Sequence, residues 1–106
     1  MNSQLSLIYT TFPNEEDAIA ITRQLLERQL VACINILSPM KSIYFWEGQL
    51  EETQEVGVLL KTTSENVPLA METLQRLHPY DVPVVLEIPL GRGAETFTQW
   101  VRDSVR

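Results

Sequence analysis

The stretch Ser42-Ile43-Tyr44-Phe45-Trp46-Glu47-Gly48-Gln49 carries a β-favouring aromatic run directly into a glycine turn, the pattern of a strand that reverses into a hairpin. Upstream, Val31 to Leu37 is an apolar run interrupted only by Asn35, so it and Ser42 to Trp46 read as one long, bent strand. Pro39 has no N–H for a ladder and marks a bulge or an edge within that strand. Downstream, Val56, Val58, Leu59 and Leu60 carry the returning strand to Thr62. An ordinary strand has about five or six residues. These two are roughly twice that, so the tip of the hairpin should overhang whatever core its base helps to build.

The flanking segments supply the rest of the fold. Leu5 to Thr11 is an apolar, threonine-rich strand closed by Pro13-Asn14. Asn14 is a good N-cap, and Glu15, Glu16 and Asp17 suit the positive end of a helix dipole. Ala18, Ile21, Leu25 and Leu26 share one face, and this first helix is expected to reach about Gln29. After the hairpin, Ser64 or Asn66 can cap a second helix whose Val67, Ala70, Met71, Leu74 and Leu77 fit helical spacing, with Pro68 tolerable in its first turn and Pro79 ending it. Val84 to Pro89 is a short strand, Gly91-Arg92-Gly93 a loop, and Phe97, Trp100, Val101 and Val105 line one face of a last helix. The order is βαββαβ plus a terminal helix. It predicts an α+β, ferredoxin-like sandwich: a four-stranded antiparallel sheet with two helices on one face and a long β2–β3 hairpin.

Composition narrows the function. At 106 residues the chain is read as a single domain over 1–106. With 44% hydrophobic and 21% charged residues it is too apolar to stay disordered. A formal charge of −6, with only eight Lys and Arg scattered along the chain, argues against nucleic-acid binding. The single cysteine, Cys33, rules out an intrachain disulfide framework and suits a reducing cytoplasm. No run approaches the roughly 20 apolar residues of a membrane span, so a soluble, cytoplasmic protein without a membrane partner is expected. The exposed cluster Ile43, Tyr44, Phe45 and Trp46 on an overhanging ribbon is adhesive. It predicts pairing of hairpins between subunits of a closed ring.

The only histidine lies in His78-Pro79-Tyr80-Asp81-Val82-Pro83, a connector stiffened by two prolines. His78 is a candidate ligand for a soft or borderline metal through its neutral imidazole. Its structural alternative is a helix-terminal histidine whose charged form the dipole favours. Cys33 offers a thiolate to copper, or else packs as a small hydrophobe inside its apolar run. Neither has a C-x-x-C or H-x-x-x-H partner, so only a subunit interface could assemble a complete soft site. Glu47, Glu51, Glu52 and Glu55 offer hard oxygen ligands for loose binding of divalent ions, or simply a solvated edge. Tyr44, Trp46 and Tyr80 are candidates to line a ligand pocket between subunits, with Lys61 supplying a cation for an anionic group, or else to pack an interface. No Ser-His-Asp set, phosphate loop or second histidine supports catalysis, and a non-enzyme is expected.

Three segments together, Leu30-Val31-Ala32-Cys33-Ile34-Asn35-Ile36, Ser42-Ile43-Tyr44-Phe45-Trp46-Glu47-Gly48 and His78-Pro79-Tyr80-Asp81-Val82-Pro83, resemble the CutA divalent-cation tolerance family. The similarity extends from the first strand to Trp100 in the last helix and includes Lys61-Thr62. The resemblance implies a trimer of ferredoxin-like subunits, related in build to PII signalling proteins, with a part in tolerance of copper and other divalent cations. Any metal would be weakly bound and not required for folding. In some bacterial members copper ligation is assigned to a cysteine in strand one and to two adjacent histidines before the H-P-Y proline. Here Tyr9 and Leu77 stand at two of those positions, and His78 alone matches. The other function this resemblance implies is a PII-like sensor taking a small anionic ligand or a protein partner at intersubunit clefts.

Overall fold

The computed structural model describes residues 4–106. The elements are β1 (Leu5–Phe12), α1 (Glu15–Glu27), β2 (Cys33–Trp46), β3 (Gln49–Thr63), α2 (Val67–Leu77), β4 (Val85–Pro89) and α3 (Glu95–Ser104). One antiparallel sheet runs in the order β2-β3-β1-β4. β1 and β2 are therefore parallel but separated by β3, the split arrangement in which α1 crosses over the sheet. The expected α+β, ferredoxin-like class holds.

Directly opposed residues share a sheet face, which sorts the side chains. Ile8, opposite Leu60, joins Phe12, Val56 and Val58 beneath Ala18 and Leu25 of α1 and Ala70 and Leu74 of α2, the main core. Their neighbours in sequence point the other way. There Leu5, Ala32 and Val101 form a second, smaller cluster that seats α3 on the opposite face. The apolar spacing in α1 and α2 fits the first cluster, and that of α3 the second.

Several local expectations hold and several shift. Asn14 caps α1, its Oδ1 accepting the Asp17 N–H at 2.8 Å. The helix stops at Glu27, short of Gln29, because Gln29 takes a left-handed φ of 59° and Leu30 N–H returns to the Leu25 carbonyl. Asn66 occupies the N-cap position of α2, but its side chain makes no capping bond. The expected irregularity at Pro39 falls between Ile36 and Pro39, where the β2–β3 register shifts. The hairpin turn uses two residues of positive φ, Glu47 at 50° and Gly48 at 80°. That is the twist-matched two-residue turn of a hairpin, of which only the glycine stood out in sequence.

β1 runs out at Phe12, opposite Val56. From Met40 with Glu55 to Trp46 with Gln49, β2 and β3 continue as a two-stranded ribbon, giving the molecule extents of 48 × 25 × 22 Å. One face of the ribbon carries Ile43, Phe45 and Leu50, and at 73% exposed Phe45 has almost nothing to pack against. The other carries Tyr44 and Trp46 with Glu51, Thr53 and Glu55.

Candidate functional site

The second ribbon face leans toward the connector after α2. Pro79 forces His78 out of the helix, to φ −69° and ψ 140°, which turns the imidazole inward. The ring is buried and stacks on Phe12 with centroids 4.4 Å apart and planes within 14°. Its Nε2 lies 2.7 Å from the Thr11 carbonyl oxygen, and its Nδ1 lies 3.1 Å from the Tyr80 amide nitrogen. A carbonyl only accepts and an amide N–H only donates, so the ring is the neutral tautomer with its proton on Nε2.

Both ring nitrogens are thereby spent on backbone. Burial pushes the His78 pKa below its usual value, against the opposing pull of the Thr11 bond and the Glu55 charge. Protonating Nδ1 would also set an N–H against the Tyr80 N–H. The helix-terminal position holds, with His78 as the C-cap of α2, but the expected preference for the charged imidazole does not: burial and the two backbone bonds favour the neutral ring.

Tyr80 continues the chain of contacts. Its hydroxyl donates to Glu55 Oε2 at 2.8 Å, and the same oxygen accepts the Thr11 hydroxyl at 3.1 Å. Burial, then the bond to Glu55, holds the Tyr80 phenol well above the ordinary tyrosine range. Glu55 thus ties the start of the ribbon to β1 and to the connector. Sequence reading grouped it with the other hairpin acids, because its partners are 44 and 25 residues away.

Between ribbon and connector lies a cleft of about 660 Å3 lined by Tyr44, Trp46, Tyr80, Glu51, Glu55 and Asp81, among others. The three expected aromatic residues do converge. Lys61 does not join them in this chain: it is ten residues along β3 from Glu51, about 33 Å at the usual rise of a strand. Its Nζ donates to Asn35 Oδ1 at 2.7 Å and sits 5.7 Å from the Phe97 ring centroid. A single chain therefore offers this cleft carboxylates and no lysine, which disfavours an anion there.

The two candidate soft ligands are likewise apart. Cys33 is a free, half-buried thiol paired in register with Lys61, on the face toward α3. His78 lies with Phe12 on the face toward α1 and α2. Among the described residues no group of three or more His, Cys, Asp or Glu is arranged to hold a metal ion. Among the described residues of one chain, both nitrogens of His78 are engaged by backbone and Cys33 has no His, Cys, Asp or Glu cluster around it.

A split βαβ sheet with a β-ribbon projecting from it, and an H-P-Y connector locked to the ribbon's base, defines a ferredoxin-like protein of the extended-hairpin kind. Residues 6–104 match the family model described as CutA1 divalent ion tolerance protein. The chain is 42% identical over 95 residues to the divalent-cation tolerance protein CutA of Thermococcus kodakarensis, covering 90% of each. Among solved structures, it resembles CutA1 of Ehrlichia chaffeensis at TM-score 0.92 and 41% identity, over 96% of this chain and 95% of that one. The Archaeoglobus fulgidus CutA structure, described as a periplasmic divalent cation tolerance protein, is similar at TM-score 0.92 and 36% identity over 96% and 99% of the two chains. The chain belongs to the CutA1 divalent ion tolerance family.

Proposed function

We propose that this protein is a cytoplasmic homotrimer that contributes, without catalysing a reaction, to tolerance of copper and other divalent cations. The observation that carries the reading is the ribbon beyond Val56, whose apolar face is covered by no element among the described residues. Pairing that ribbon with a second copy buries Ile43, Phe45 and Leu50 and satisfies its open edges. The names of the similar proteins support the tolerance role. The lone free thiol supports a reducing compartment. Among the described residues no helix is long and apolar enough to cross a membrane.

Metal binding on this reading is weak. His78 would have to release the Tyr80 N–H before its Nδ1 could ligate, and Cys33 would need ligands from another subunit. The carboxylates of the cleft offer loose oxygen coordination. Sedimentation at micromolar concentration tests the assembly, and a monomeric mass would sink it. Calorimetry with Cu(I) and Cu(II) on the wild type, His78→Ala and Cys33→Ala tests the ligands; binding unchanged in both variants removes both residues from the site.

The second reading, a PII-like sensor with a ligand between subunits, is favoured by the aromatic lining of the cleft. Within one chain that lining carries no cation, so an anionic ligand would need a basic residue from the neighbour. Stabilisation by a metabolite in metal-free solution would distinguish it.

A further inference from the structure

Away from the ribbon, the end of α1 meets one face of α2 over a groove of about 380 Å3. Asn66, Leu69, Thr73 and Arg76 line it from α2, their spacing of three and four residues placing them in one row. Arg28, Leu30 and Arg106 complete the lining. Three of the chain's eight cationic side chains thus gather here, with no Asp or Glu among the lining residues and Glu72 at the rim beside Arg76, although the chain as a whole carries a formal −6.

Each arginine keeps guanidinium nitrogens that can turn to a ligand. Arg28, at the C-cap of α1, has no side-chain hydrogen bond or ion pair among the described residues. Arg106 is anchored by its backbone N–H to the Gln29 carbonyl at 3.0 Å and by its Nε to Gln29 Oε1 at 2.6 Å. That leaves its terminal nitrogens available. Arg76 pairs with Glu72 at 3.2 Å, but both side chains are about two-thirds exposed, at 63% and 67%, and such a pair exchanges readily for a better one. The remaining observation is independent of charge. The Asn66 amide nitrogen, which sits at the N-cap of α2, is buried and has no hydrogen-bond partner among the described residues. A buried donor without an acceptor is costly; the atom has no accessible surface as it stands, so it meets a groove ligand only when the Asn66 side chain turns outward, which an acceptor there would favour. Thr73 does not compete for it, because its hydroxyl is spent on the Leu69 carbonyl at 2.8 Å.

We propose that this groove binds a multiply charged oxyanion of the phosphate type, carried by a small organic molecule whose apolar part rests on Leu30 and Leu69. Guanidinium forks match phosphate oxygens in pairs. The site is distinct from the acidic cleft beneath the ribbon and does not rest on the assembly or metal reading.

The test is an NMR titration of the full-length chain with inorganic phosphate and, separately, phenyl phosphate, against sodium chloride at matched ionic strength. Saturable shifts are expected at the Asn66 side-chain amide and at the Nε–H groups of Arg28, Arg76 and Arg106. Phenyl phosphate is expected to bind several-fold more tightly than phosphate. The exposed triple variant Arg28→Gln, Arg76→Gln, Arg106→Gln should weaken both by roughly tenfold or more, while Arg92→Gln leaves them unchanged. Shifts that chloride reproduces, that never saturate, or that survive the triple variant overturn the site. Equal affinity for the two probes overturns the organic part of the assignment.

Discussion

The two halves of the β2–β3 hairpin share a backbone ladder and little else. In the lower half, Val56, Val58 and Leu60 are buried against two helices, and the register with β1 locks each pair in place. In the upper half, Ile43, Phe45 and Leu50 sit on an equally well-paired ribbon yet stay in solvent. The β2–β3 ladder runs through both halves, but only the lower half has β1 on the far edge of β3 and helices over its face. A strand pair is thus made stable by what lies on its faces. The lower half spends its apolar surface on folding, and the upper half holds its own in reserve for another molecule.

That contrast can be broken at its strongest point first. Leu60→Ala, in the covered half, should cost about 2–5 kcal/mol in chemical denaturation, since it empties a fully packed position. The paired substitution Phe45→Asp with Leu50→Asp, in the uncovered half, should leave the subunit folded by circular dichroism. It should nevertheless weaken self-association by about 3 kcal/mol or more in sedimentation, the burial of two large side chains. A subunit that unfolds on the second change, or an assembly that ignores it, would erase the distinction between the halves.

The seam between them is sensitive to pH. His78 and Tyr80 join β1 to the foot of the ribbon through Thr11 and Glu55. Burial holds the folded His78 pKa below the ordinary imidazole value of 6.5, so the unfolded chain takes up the proton first as pH falls. Its contribution to stability is complete above the unfolded value and is lost as pH drops through the lowered folded one. A thermal melt series should therefore show stability declining on acidification below 6.5. His78→Gln should reduce that part of the slope, and an unchanged slope would remove His78 as its source.

Smaller effects sharpen the picture. Glu55→Gln removes the charged acceptor shared by Thr11 and Tyr80 and should cost about 1 kcal/mol, discounted for partial exposure. It should also let the Tyr80 phenol titrate at lower pH, visible in the ultraviolet spectrum. Gly48→Ala at the tip meets no neighbour within 4 Å but keeps a φ of +80°. It should cost about 1 kcal/mol through backbone strain alone, without altering the covered half.

Much of this was legible in the chain itself. The alternation in β3, the N-cap at Asn14, the break at Pro39 and the glycine at position 48 each act over a few residues, so their consequences are written locally. Tyr44, Trp46 and Tyr80 stood out in the sequence as candidates for a pocket between subunits, but their meeting within one chain is a tertiary result. The separation of Lys61 from that cleft is another. So are the neutral tautomer of His78, the shared bonds at Glu55, and the meeting of Arg28, Arg76 and Arg106.

The sequence by itself determined the element order, the ferredoxin-like class and the overhanging ribbon, because periodicity, capping and turn chemistry are short-range properties of consecutive residues. Only the tertiary structure decided which polar groups face one another. Hydrogen bonds such as that from Tyr80 to Glu55, or from His78 to the carbonyl of Thr11 across 67 positions, depend on how the sheet and helices stack. The charge and protonation of a group depend in turn on the neighbours and the burial that this stacking brings.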